Sequence, residues 1–331
     1  MSEVLLQVRD LRISVSGLDV VRGLSLEVAA GEMLAVVGES GAGKSVTARA
    51  VLGLLPAGMR VTGSVRLDGT ELVGAPQSAY RGLRGRRMAF IPQDALSVLS
   101  PVHTIGDQLA LAIRSVQSLS RKTAREVAVA ALDRVGIPDA ARRARAYPHE
   151  FSGGMRQRAV IAMATVNDPA LVIADEPTTA LDPTVQARIL GLLDELRAQS
   201  GTAVMLVTHD LAVAAAHADR ILVMYAGRHV QSGPVGQVLA DPRAPYTAGL
   251  IASLPPSRST DRRLPAIGGT PATPGSLPPG CAFAPRCPAA TDDCVVETPA
   301  PREIAPGHLV SCHRIDELPR RTTDLFEGIA G

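Results

Sequence analysis

Gly38-Glu39-Ser40-Gly41-Ala42-Gly43-Lys44-Ser45 lies between an apolar run, residues 34–37, and a helix-like segment, residues 46–55. Strand, glycine loop and helix form the context that a phosphate-binding P-loop requires. Glycines let the backbone curl so that successive N–H groups point inward at phosphate oxygens. The following helix aims its positive end at the same place. In such a loop the lysine, here Lys44, neutralises the β- and γ-phosphates, and the hydroxyl of Ser45 ligates Mg²⁺. The pattern predicts a nucleoside triphosphate site built from Gly38, Glu39, Ser40, Gly41, Ala42, Gly43, Lys44, Ser45 and Val46.

The chain has 331 residues, about two domains' worth by the usual prior. Its net charge is only +2, which gives no bulk electrostatic case for nucleic acid. Aromatic residues are scarce and tryptophan is absent, which argues against base-stacking surfaces. Residues 1–10 carry Glu3, Arg9 and Asp10 and lack a long apolar core, so a signal peptide is not expected. No window of eighteen uninterrupted apolar residues occurs, so the chain is not expected to span a membrane by itself.

Residues 4–15 and 20–28 alternate apolar with polar side chains around a Ser16-Gly17 turn, the mark of half-exposed strands. Residues 63–72 read as a further strand or hairpin with an Asp68-Gly69 turn. Residues 87–91 form a short apolar strand ending in Pro92-Gln93-Asp94. From 104 to 136 the period becomes helical, and Ser120 is placed to cap a helix over 121–135. Residues 171–174 and 203–207 are continuous apolar runs, as central parallel strands are, and 184–199 between them reads as a helix. The alternation predicts an α/β core interrupted by helices near 94–165. Residues 235–254 read as short helices broken around Pro242 and Pro245, and 255–280 as a Pro- and Gly-rich linker with little core. No internal repeat is visible.

Two further stretches carry chemistry. Leu171-Val172-Ile173-Ala174 ends in Asp175 and Glu176. An acid at a strand's end beside a P-loop strand can support Mg²⁺, and the next carboxylate can act as general base toward water. Ser152-Gly153-Gly154-Met155 opens a helical segment and offers a hydroxyl, free N–H groups and a helix dipole, a second anion site.

Taken in order, these motifs resemble those of the ATP-binding cassette (ABC) family over residues 1 to 233. The P-loop corresponds to its Walker A motif, and Ser152-Gly153-Gly154 to its signature, with Phe151 and Met155 as variants of the usual flanking residues. Asp175 and Glu176 match Walker B and the catalytic glutamate. Gln93 matches the Q-loop, Ala180-Leu181-Asp182 the D-loop, and His209 the switch histidine. The resemblance implies a RecA-like P-loop NTPase core with an antiparallel β subdomain and a helical insertion at about 94–165. It implies catalytic roles for Glu176, His209 and Gln93, and Mg²⁺ held by Ser45, Gln93 and Asp175. Ser152, Gly153, Gly154 and Met155 would serve the ATP of a partner subunit. The family usually stacks an aromatic residue on adenine. The corresponding position here is Val15, and no Phe, Tyr or Trp precedes Tyr80.

Residues 234–331 are similar to the C-terminal extension of oligopeptide and dipeptide importer ATPases. The carriers are Asp241-Pro242-Arg243-Ala244-Pro245-Tyr246-Thr247 and Cys281-Ala282-Phe283-Ala284-Pro285-Arg286-Cys287-Pro288. All four cysteines, Cys281, Cys287, Cys294 and Cys312, lie there, with five, six and seventeen residues between them. A structural zinc site usually shows closer pairs. Four thiolates can instead hold a [4Fe–4S] cluster, and the resemblance implies one; Zn²⁺ or four free thiols remain open. The segment has few apolar residues, so a bound metal centre is expected to hold it folded.

The expected function is ATP hydrolysis by a peripheral subunit on the cytoplasmic face of the membrane, powering import of oligopeptides or dipeptides. The expected partners are a second cassette ATPase, a paralogue, two transmembrane permease subunits and a solute-binding protein, with no nucleic acid. Residues 93–101 are expected to face the membrane subunits. Alternatives are an importer of nickel or another small solute, a soluble cassette ATPase, and an Fe–S redox-regulated ATPase.

Overall fold

The structure, a computed structural model, describes residues 3–179, 181–254, 265–319 and 321–326. Ala180 of the expected D-loop and residues 255–264 of the expected linker lie outside the described residues. Contacts divide the chain into two compact units. One comprises Val28–Glu32 and Ala75–Leu206 with the first residues of the chain; the other comprises Leu6–Glu27, Met33–Gly74 and the chain from Val207 onward.

The second of these units begins with an antiparallel sheet. β1 (Val4–Val15) and β2 (Leu18–Ala29) alternate buried and exposed side chains, and a bulge between Arg9 and Arg12 shifts the alternation within β1. β3 (Met33–Val37) is buried at every residue and leads through the P-loop into α1 (Lys44–Val51). β4 (Met59–Leu67) turns at Asp68-Gly69 into β5 (Thr70–Glu71), giving the order β2-β1-β4-β5.

The unit containing Ala75–Leu206 follows. α2 (Gln77–Leu83) precedes β6 (Met88–Ile91). The helical stretch then carries α3 (Ile105–Val116), α4 (Arg121–Arg134), α5 (Ala140–Arg143) and α6 (Gly153–Thr165). Thr104 and Ser120 cap α3 and α4 by accepting from Asp107 N–H and Thr123 N–H. α4 buries Ala124, Ala128, Ala131 and Leu132, a helical stripe of mostly small residues that lets α3 pack against it. β7 (Leu171–Asp175), α7 (Pro183–Ser200) and β8 (Ala203–Thr208) complete it, with β7 between β6 and β8. β6 and β7 run parallel with Ile91 opposite Ala174.

From Val207 the chain returns to the unit that holds Leu6–Glu27 and Met33–Gly74. α8 (Leu211–His217) precedes β9 (Arg220–Tyr225), which pairs in parallel with β3. β10 (Arg228–Pro234) folds back antiparallel on β9. α9 (Val235–Ala240) and α10 (Pro245–Ala252) follow, divided where Pro242 and Pro245 predict a break. After α11 (Asp292–Val296), β11 (Arg302–Ala305) and β12 (His308–Val310) add to the sheet in the order β11-β12-β10-β9-β3.

The cysteine segment departs from expectation: it is not short of core. Phe283, Val310, Ile315 and Phe326 are all buried, and Val310 and Ile315 cluster with Ala244. Phe283 meets Tyr225 and Tyr246 ring to ring at 5.4 and 5.2 Å. Few apolar residues suffice because the segment borrows a wall already built by β9, β10 and α10.

Candidate functional site

The P-loop sits between buried β3 and α1. Gly43, at the N-cap of α1, has φ +93, and a Cβ there would lie 3.1 Å from the carbonyl oxygen of Val20, so only glycine fits without strain. No side chain caps α1, so its first N–H groups are not taken by a cap. Lys44 is 5% exposed, and its Nζ donates to the carbonyl oxygens of Gly38 at 2.6 Å and Glu39 at 3.1 Å. The ammonium is thus held in the loop by backbone dipoles. Ser40 and Gly41 at the tip are exposed, Ala42 is buried, and Ser45 and Val46 are half-buried. Such a loop presents a fixed cation and the N-terminus of a helix to an anion. Val15, at the end of β1 opposite Met59, is half-buried.

Glu39 has partners that the motif does not reveal. Its N–H donates to Tyr246 Oη at 2.9 Å, and its carboxylate pairs with Arg286 at 2.7 Å. Both partners come from the C-terminal extension, more than two hundred residues along the chain, so no local pattern could have announced them.

In the other unit, the parallel register of β6 and β7 brings their C-terminal ends side by side. Asp175, 2% exposed, closes β7. Glu176 follows with φ +48, uncommon for a side-chain-bearing residue. Its Oε2 accepts from Thr179 Oγ1 at 2.9 Å and from Gln93 Nε2 at 3.4 Å. Gln93 and Glu176 are therefore brought together as their positions at strand ends imply. Thr179 was not foreseen; the Pro177-Thr178-Thr179 turn after the acids is the signal that could have found it.

Ser152 caps α6, its Oγ accepting from Met155 N–H at 3.3 Å, and Ser152 and Gly153 are exposed. A Cβ on Gly154 would lie 2.7 Å from Val185 Cγ1, so glycine here allows the starts of α6 and α7 to approach. Asp182 caps α7 by accepting from Val185 N–H at 3.0 Å. His209 is exposed at the end of β8.

The four cysteines are free and all line one cavity of about 60 Å³, walled also by Tyr225, Tyr246 and Phe283. Burial pushes the Cys287 thiol up to about 12 and the Cys312 thiol up to about 11, and it raises Cys281 as well. Among the described residues, no group of three or more His, Cys, Asp or Glu is placed to hold a metal ion. The volume exceeds what one water needs, so the cavity has room for a multi-atom group. Arg22 Nη2 and Arg228 Nε, the latter residue on the cavity wall, are buried without a hydrogen-bond partner. Unpartnered cationic N–H groups beside four thiols fit an anionic occupant.

Among the described residues no helix is long and apolar enough to cross a membrane. The ABC transporter family profile matches residues 21–179, and the profile for the oligopeptide/dipeptide transporter C-terminal region matches residues 230–294. The chain is 48% identical over 329 residues to the oligopeptide transport ATP-binding protein OppD of Mycobacterium tuberculosis, covering 97% of this chain and 54% of that protein. It thus spans about half the length of that relative. It is 43% identical to OppD of Escherichia coli, covering 96% of this chain and 95% of that one. It is 47% identical to a probable peptide ABC transporter ATP-binding protein of Sinorhizobium fredii, covering 96% and 97%. Among solved structures, a dimeric ATP-binding cassette in a post-hydrolysis state with ADP and phosphate aligns with a TM-score of 0.63 and 25% identity, covering 70% of this chain and 99% of that one. An ATP-binding subunit of an ABC transporter aligns with a TM-score of 0.59 and 30% identity, covering 71% and 91%.

Proposed function

This chain belongs to the ABC transporter family, and on that premise we propose that it is the ATP-hydrolysing subunit of an importer of oligopeptides or dipeptides. The observation that carries the reading is one chain holding both a complete P-loop and a C-terminal region of the oligopeptide/dipeptide transporter kind. Ser40, Gly41, Gly43 and Lys44 take the phosphates through backbone N–H groups and the buried ammonium. Ser45, Gln93 and Asp175 would hold Mg²⁺, which supplies charge neutralisation at the β- and γ-phosphates. Glu176 accepts a proton from water, with Thr179 and Gln93 fixing its carboxylate. His209 contacts the γ-phosphate. The turn at Ser152, Gly153, Gly154 and Met155, exposed at its first two residues, serves the ATP of a second cassette, with Asp182 beside it.

The partners in this reading are a paralogous cassette, two permease subunits and a solute-binding protein, at the cytoplasmic face of the membrane. Cys281, Cys287, Cys294 and Cys312 would hold a [4Fe–4S] cluster, which when bound supplies a cross-link among four points of the extension. The thiols around one cavity and the unpartnered arginine N–H groups support it.

Co-expression with membrane subunits and reconstitution into vesicles tests the function. The expected result is ATP-dependent uptake of labelled peptide that stops in Glu176→Gln. Uptake of nickel but not peptide, or hydrolysis indifferent to the membrane subunits, would overturn the peptide-importer reading.

A further inference from the structure

Arg286 directly precedes Cys287, which lines the cysteine cavity, and its side chain reaches the P-loop. Its Nη1 and Nη2 donate to the two carboxylate oxygens of Glu39 at 2.7 and 3.0 Å, a bidentate pair. The Arg286 side chain is 5% exposed and that of Glu39 24%. Nothing of the guanidinium is left loose. Nε donates to the carbonyl oxygen of Gly268 at 2.8 Å, Nη2 to that of Ile267 at 3.2 Å, and Nη1 to Tyr225 Oη at 3.2 Å. Glu39 is therefore held at three points. Its carboxylate meets Arg286, its N–H meets Tyr246 Oη, and its carbonyl accepts from Lys44 Nζ.

We propose that Arg286 and Tyr246 are positioning residues for the nucleotide, setting through Glu39 how tightly the P-loop takes phosphate. The proposal rests on the reading of the P-loop as an ATP site. Two physical effects run the same way. A carboxylate inside a phosphate-binding loop repels the ligand's charge unless a cation neutralises it, and a shielded guanidinium does so. The loop also binds best when its backbone is already fixed, because ordering it on binding costs affinity. Arg286 and Tyr246 fix the residue whose carbonyl holds the phosphate-facing lysine. The extension thereby becomes part of the nucleotide site, and disturbing its fold is felt as weaker phosphate binding.

The test is a Mg-ATP titration of the full chain in three forms: parent, Arg286→Gln, and Glu39→Gln/Arg286→Gln. Arg286→Gln leaves the carboxylate unpaired, and its dissociation constant should rise about tenfold or more. The double variant removes the carboxylate charge as well and should recover most of that loss, as a coupled pair does. A mere staple between extension and loop would leave the double variant as weak as the single one. Equal affinity of parent and Arg286→Gln, or no recovery in the double variant, overturns the proposal. Should Arg286→Gln fail to fold, Tyr246→Phe keeps the ring and removes only the acceptor for Glu39 N–H. A several-fold weaker Mg-ATP complex supports the proposal, and unchanged affinity overturns it. A parent that binds no Mg-ATP overturns the ATP-site reading and this proposal with it. A parent that binds tightly while the variants match it overturns this proposal alone.

Discussion

At Glu176 the chain passes from a fully buried strand into a left-handed turn, φ +48, and the carboxylate is caught there by Thr179 and Gln93. A strained backbone that aims one side chain is common where chemistry is done. Glu176→Gln keeps the shape and removes the base. Hydrolysis should fall by about 100-fold or more while Mg-ATP binding survives, which phosphate release and an equilibrium titration would separate. Val15 leads to a second expectation. Without an aromatic face for the base, Val15→Tyr should tighten ATP binding by roughly 1 kcal/mol, and GTP should compete well in the parent. A strong preference of the parent for ATP over GTP would count against it. Glu176 was legible because it follows an apolar run with a polar group, and Val15 because an aromatic is missing where the family resemblance implies one. The role of Arg286 was not, since it arises only when backbone more than two hundred residues away is brought alongside; Thr179, three residues past Glu176, is marked only by the turn that follows the acids.

Among the elements, β10 carries a half-buried histidine. His229 Nδ1 is 2.8 Å from Ser311 Oγ and Nε2 is 2.9 Å from Ser232 Oγ, so the ring bridges β10 to the segment after β12. Burial lowers its pKa from 6.5 to about 4. Below pH 6.5 the unfolded chain takes up a proton that the folded one refuses. Stability is therefore complete above that pH and declines as pH falls toward 4, by about 3 kcal/mol in all, and the loss ends once the folded ring protonates. Denaturant titrations from pH 7 to 4 on parent and His229→Gln would show it as a steeper fall in the parent. The longer helices were legible from their period, and α4 also from its cap at Ser120, whereas the cap that Asp182 gives α7 was not read from the sequence. β11 and β12 were not. They are four and three residues long and become strands only because β10 offers them an open side.

For the whole molecule, the sequence order of motifs carried the α/β core, whereas the packing of the extension was hidden. Its few apolar residues looked too sparse for a core, because the wall they pack against belongs to β9, β10 and α10. The cavity lined by its cysteines leads to a direct measurement. Protein purified without oxygen should be brown and carry about four irons per chain, and Cys287→Ser should lose the colour. Stoichiometric zinc, or no metal, would defeat the cluster. The covering of β10 by β12 has a consequence for neighbouring molecules in solution. An uncovered strand is a template for any other strand it meets. Among the described residues the strand at this edge of the sheet is β11, short, with Arg302 and Glu303 exposed and Arg302 paired to Asp316 at 2.7 Å. Proteolysis that removed residues 302–310 would bare β10. Light scattering should then reveal self-association, so the extension also guards the cassette against aggregation.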